Sequence, residues 1–266
     1  MRRHCRAIAR TPAHEQTKPG HEDVLTRAIG LFIFLAAWEA IGRSGLWGES
    51  FPALTTIVQA FGTEGQRNLL GRSLMRTAES AAFGLLLGAI AALLLAASGN
   101  LWPRLRQGFD SLATGIYAIP IITFGPVFIL VAGPDSTPMV LSALSAYFPI
   151  YVALDSGLRF APPAQRDLAS VLGAARTRAF VRVEFPAALP AFVDGLRLGA
   201  PGAVLGAVLG EWFGAPRGLG VLIISSLQNV RIPQLWAAAL LCVVCSLVAY
   251  TALSMLHTFV QRRYAW

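Results

Sequence analysis

Long apolar runs alternate along this chain with short arginine-bearing segments. Residues 80–103 contain no Asp, Glu, Lys or Arg, and neither do 111–134, 136–154 and 232–261. A helix that crosses a membrane needs about 20 mostly apolar residues. All four runs therefore read as spanning helices. Two further runs carry charges: 28–41 is interrupted by Glu39, and 188–209 by Asp194 and Arg197. The pattern predicts six spans. Asn100-Leu-Trp-Pro-Arg-Leu-Arg106 reads as a turn at a membrane surface, and Gly133-Pro-Asp-Ser136 as a tight hairpin of helix breakers. Pro120, Gly125, Pro126, Pro149, Pro201 and Gly202 fall inside spans, where small residues let helices approach and prolines kink them. The expectation is an all-α, polytopic helical membrane bundle.

Composition supports this. Hydrophobic residues make up 55% of the chain and charged residues 14%, against about 25% charged in ordinary soluble domains. The formal charge is +8. That charge is better read as a topology signal than as a nucleic-acid patch. With the N-terminus cytoplasmic, fifteen Lys and Arg fall in inside segments and six outside. Both termini are then expected inside, in the plasma (inner) membrane. The first run resembles no cleaved signal peptide, because its basic leader exceeds 25 residues and no A-x-A-like site follows before Arg43-Ser44-Gly45. Residues 1–23 read as a disordered cytoplasmic tail, and 24–266 as the membrane domain. His4, Cys5, His14 and His21 have no metal-site spacing. Cys242 and Cys245 lie inside an apolar run, where small packing residues are the plain reading.

The longest inside loop, 158–187, is the informative one. Pro162 and Pro163 mark a helix start. Ala164, Leu168, Ala169, Val171 and Leu172 then share one face. Gly173 suits a left-handed C-cap. A second short segment, 174–185, runs into Pro186, which should stop it. The apolar face needs cover, either from the chain's own bundle or from a groove on a partner.

Asp167-Leu-Ala-Ser-Val-Leu-Gly173 followed by Val183-Glu-Phe-Pro186 resembles the EAA signature of binding-protein-dependent ABC importer permeases. Its spacing is complete. Asp167 stands for Glu, Leu168 for Ala, Val183 for Ile and Phe185 for Leu. Tyr117-Ala-Ile-Pro120, Phe124-Gly-Pro126, Phe148-Pro149-Ile150, Gly195-Leu-Arg197 and Glu211 before Gly218-Leu-Gly-Val-Leu-Ile223 resemble the nitrate, sulfonate and taurine subgroup. The resemblance implies the type I ABC importer permease fold and a second permease copy, expected as a homodimer. It also implies a cytoplasmic ABC ATPase and an extracytoplasmic substrate-binding protein. Asp167, Leu168, Ala169, Leu172, Gly173, Arg176, Arg178 and Pro186 would form the ATPase-coupling loop. Tyr117, Thr123 and Glu211 are candidates for the pathway or gate. Ser142, Ser145 and Tyr147 are further polar positions in spans of the pathway region.

The chemistry left out is equally informative. Lys18 is the only lysine and has no P-loop around it. No catalytic residue, metal or cofactor is expected on this chain, and ATP would be used by the partner ATPase. His257 reads as an interfacial residue. Charges within spans are functional candidates. Asp194 and Arg197, three apart, can pair within one turn or so of the span's cytoplasmic end. Asp155 and Arg159 can pair in the same way. Glu39 stands without an intramembrane partner. An ion-coupled secondary transporter using Glu39, Asp194 and Arg197 is the alternative, but no internal repeat supports it. Membrane lipid is an expected partner and nucleic acid is not.

Overall fold

The computed structural model describes residues 21–46, 48–159, 171 and 173–264. Among them every regular element is helical: α1 His21–Ser44, α2 Leu54–Gln59, α3 Glu64–Leu101, α4 Arg106–Ala118, α5 Gly125–Ala132, α6 Thr137–Arg159, α7 Arg176–Ala179, α8 Phe185–Glu211, α9 Leu219–Gln228 and α10 Ile232–Tyr264. The chain divides into two compact units, Met1–Thr55 and Thr56–Trp266. The expected tail lies outside the described residues except for its last three, and α1 begins at His21.

In the first unit the segment after α1 folds back on it. Trp38 Nε1 donates to the Pro52 carbonyl at 3.3 Å, and its ring stacks on Phe51. A Cβ at Gly42 would lie 2.5 Å from the Ala53 backbone nitrogen, so only glycine allows this approach. Glu39 is not without a partner. It pairs with Arg43 at 2.6 Å and accepts from Thr55 N and Oγ1 at 3.2 and 2.8 Å. A polar partner sixteen residues away cannot be read from helical spacing.

The second unit is built on α6, which lies between α3 and α8. Gly195, Gly199, Gly202, Gly206 and Gly210 recur every three or four residues, so they form one seam along α8. A Cβ at Gly206 would stand 2.5 Å from the Leu141 carbonyl, and one at Gly210 2.5 Å from Pro138 Cα. On the other side of α6, a Cβ at Gly88 of α3 would stand 2.8 Å from the Ala143 carbonyl. Lipid supplies no hydrophobic drive between helices, so such close backbone contact holds a membrane bundle together.

Among the described residues four helices are long and apolar enough to cross a membrane: Glu64–Leu101, Thr137–Arg159, Arg176–Glu211 and Ile232–Arg263. A fifth span exists if Pro103–Ala118 and Ile121–Ala132 count as one, and these meet at 86°. The six expected spans are therefore not all unbroken. The third expected span is broken at Pro120. Ile119 before it is extended, with φ −79° and ψ 126°, as steric conflict with a proline ring requires. Nor does Pro186 stop its segment. It sits in the first turn of α8, and Arg176–Glu211 continues as one span. A π-helical turn, Phe180–Glu184, precedes it, with Phe185 N bonded to the Phe180 carbonyl. The wider turn absorbs the site of the missing N–H without ending the helix.

Candidate functional site

Three regions of the second unit bear on function: the base of the 158–187 loop, a cleft beside the break at Pro120, and the opposite end of the bundle. At the loop base, Gly173 has φ +68°, the left-handed conformation that glycine adopts without penalty. Arg176, which opens α7, donates through Nε at 3.1 Å and Nη2 at 2.8 Å to the Asn100 carbonyl. Asn100 lies in the last turn of α3, whose carbonyls lack helical partners and carry partial negative charge. The Asn100 amide donates in turn to Glu184. The chain leaving the loop is thus tied to α3 before the π turn, at Arg176, and at its last residue, Glu184.

Beside this tie, Asp155 of α6 accepts from Arg106 Nη2 at 2.5 Å and Arg159 Nε at 2.8 Å. Arg159 also reaches Asp110 at 3.2 Å, and the Tyr151 hydroxyl donates to Asp110. Two arginines and two aspartates balance in charge and lock the start of α4 to the end of α6. The expected Asp155–Arg159 pair is present, inside a larger network.

The cleft beside Pro120 encloses about 600 Å³, within the usual range for small-molecule sites. Tyr117, Pro120, Phe124, Ser145, Pro149 and Gly202 are among its lining residues. Tyr117 is exposed and stacks on Phe148 with ring centroids 4.0 Å apart. Thr123 Oγ1 donates to the Pro120 carbonyl at 2.7 Å, closing the helix break. Ser142 and Tyr147 do not line the cleft. Both are buried, Ser142 donating to the Ala81 carbonyl at 3.4 Å and Tyr147 to that of Ala113 at 2.5 Å.

At the far end, Glu211 is 2% exposed. Its Oε1 accepts from Thr77 Oγ1 at 2.7 Å and its Oε2 from Gly220 N at 2.7 Å. Leu219 N donates to Thr77 Oγ1 at 2.8 Å. Glu211 therefore latches α3 and α8 to the start of α9. Gly218 and Gly220 have no room for a Cβ, because it would meet the Glu211 carboxylate or the Val208 carbonyl.

The coupling residues Asp167, Leu168, Ala169 and Leu172 lie outside the described residues. Gly173, Arg176 and Pro186 fall at the loop base, and Arg178 is exposed on α7. Asp194 and Arg197 are paired, with His257 Nε2 4.0 Å from Asp194 and Arg197 over the Tyr250 ring at 5.5 Å. The pair lies about five turns from the start of the Arg176–Glu211 helix. Sequence reasoning missed Asn100, Glu184, Arg106, Asp110 and Thr77. Arg106 and Asp110 at i, i+4 were a local signal. The others pair across 76 to 142 residues and left none.

This geometry defines a helical membrane bundle with one bent span, a cleft at the bend and a braced loop at one end. Residues 84–266 match the family described as binding-protein-dependent transport system inner membrane component. The chain belongs to that family and is a permease subunit of an ABC importer. It is 32% identical over 231 residues to the "Probable ABC transporter permease protein" of Haemophilus influenzae, covering 86% of this chain and 94% of that one. It is 29% identical over 155 residues to the formylaminopyrimidine transport permease protein ThiX of Halalkalibacterium halodurans, covering 58% and 62%. An inward-facing structure of the MetNI methionine ABC transporter has a similar fold, with TM-score 0.65 and 18% identity over 74% of this chain and 99% of that one.

Proposed function

We propose that this permease moves a small solute of the nitrate, sulfonate, taurine or pyrimidine-precursor type, delivered by an extracytoplasmic binding protein. A separate cytoplasmic ATPase docks on the 158–187 loop and supplies ATP hydrolysis, and this chain binds no cofactor. A second copy completes the pathway across the open cleft at Tyr117 and Pro120. The observation that carries the coupling role is the double tie of Arg176 and Glu184 to Asn100. A push on the loop reaches α3 directly through it, and reaches α8 through the unbroken helix from Arg176. Asp167, Leu168, Ala169 and Leu172 are the docking face, and Gly173 sets the bend behind it.

The test is ATP-driven uptake in proteoliposomes holding the permease, its ATPase and its binding protein. Gly173→Asp is expected to insert normally and lose uptake, because it places a carboxylate at the left-handed bend behind the proposed docking face. Normal uptake by that variant would overturn the coupling role. The solute is identified by the compound that thermally stabilises the cognate binding protein.

A further inference from the structure

Where α3, the α8–α9 connection and the start of α10 meet, a cavity of about 470 Å³ opens on the bundle. Arg72, Arg217 and Arg231 stand among its lining residues, and no Asp or Glu does. Arg217 and Arg231 make no ion pair among the described residues. Arg72 uses only its Nε, on the Asn68 carbonyl at 3.2 Å. The floor is polar and buried: Ser226 is 1% exposed and Gln234 9%. Ser226 Oγ has no hydrogen-bond partner among the described residues. A buried hydroxyl left unpaired costs free energy, so it signals a missing partner. Val230, a β-branched residue between Asn229 and Arg231, has φ +55°. Strain of this kind persists where the surroundings impose it, and it clusters at ligand clamps.

We propose that this cavity is a binding site for a small tetrahedral oxyanion, sulfate- or phosphate-like, held by Arg217 and Arg231 with Arg72 at the rim and Ser226 donating from the floor. Guanidinium groups pair with oxyanions through two parallel N–H bonds, which an ammonium cannot reproduce. The site is separate from the Tyr117–Pro120 cleft, whose lining carries no formal charge. It does not depend on which solute is transported.

The experiment measures binding of radiolabelled sulfate to the purified chain in phosphatidylcholine nanodiscs. Saturable binding is expected, and the double variant Arg217→Gln/Arg231→Gln should weaken it about tenfold or more, with its thermal unfolding unchanged. Arg217→Lys should recover only part of the loss, because charge alone remains. Repeating the measurement in discs containing phosphatidylglycerol separates two sources of the same chemistry. Competition assigns the site to a lipid phosphate, and no competition assigns it to a free anion. Absence of saturable binding, or an affinity unchanged in the double variant, would overturn the proposal. No ATPase or transport step enters the assay, so this outcome is independent of the coupling test.

Discussion

Thr77 has one hydroxyl proton and two acceptors within reach, Glu211 Oε1 at 2.7 Å and the Ser73 carbonyl at 3.1 Å. The shorter contact, to a carboxylate whose other oxygen serves Gly220 N, decides where the proton goes. Thr77 then accepts from Leu219 N, so removing either side chain leaves a backbone N–H of α9 unpaired in a buried site. Leaving such a group unsatisfied costs about 1–3 kcal/mol. Glu211→Ala and Thr77→Val should each lower the thermal unfolding midpoint of the detergent-solubilised protein. Their double variant should lose less than the sum, because the two act through one network. Additive losses would show that the latch is not cooperative. Position 211 was legible in the sequence only as a carboxylate before a glycine-rich segment, and a gate was the natural expectation. Its partner on α3 lies 134 residues away. Nothing in local spacing predicts that pairing, and it makes Glu211 a tie between helices as built.

At the scale of elements, the α6–α8 seam gives the sharpest test. Gly206→Leu would drive a side chain into the Leu141 carbonyl and Ser142 Cα, at 2.5 and 2.7 Å from the Cβ position. Two of the three nearest atoms are α6 backbone, which cannot swing aside as the Ser145 hydroxyl could, so the variant should fail to fold. Gly115→Ala on α4 has nothing within 4 Å and should insert and unfold like the parent. Recovery of monodisperse protein from detergent by gel filtration separates the two. A folded Gly206→Leu would mean that α6 and α8 can slide apart. The seam was partly legible, because glycines at three- and four-residue spacing in an apolar run point to close helix contact. The broken third span was less so. Pro120 was visible, but prolines in the interiors of α6 and α8, at 149, 190 and 201, leave those helices continuous. Whether a proline kinks or breaks depends on whether neighbours satisfy the freed carbonyl. The carbonyl that Pro120 leaves free is that of Ile116, which accepts from Ile119 N at 3.4 Å, and the carbonyl of Pro120 itself receives Thr123 N at 3.0 Å and Thr123 Oγ1 at 2.7 Å, which stabilises the break. At Pro186 the π turn supplies an alternative and the helix runs on.

For the whole molecule, helix length and charge placement together fix how the chain must sit. The 38 residues of α3 extend about 57 Å at 1.5 Å per residue, against about 30 Å of hydrocarbon. Its uncharged stretch starts at residue 80, so the turns carrying Arg67, Arg72, Arg76 and Glu79 must project into water. α10 is 33 residues long, and none of its most apolar 18-residue stretch is buried within the chain. Lipid or a second subunit must cover that face. With four continuous spans and one bent span among the described residues, arginine asymmetry is the signal that predicts orientation. On that signal Arg104 and Arg106 are expected on the same side as the 158–187 loop and the C-terminus, and Asp135 on the other. In a background with Cys5, Cys242 and Cys245 replaced by serine, Asp135→Cys should react with a membrane-impermeant maleimide added to intact cells. Arg104→Cys should react only after permeabilisation. A C-terminal alkaline phosphatase fusion should be inactive. Labelling of Arg104→Cys in intact cells, or an active fusion, would invert the topology. The 158–187 loop would then face away from any cytoplasmic ATPase, and the coupling proposal would fall with it.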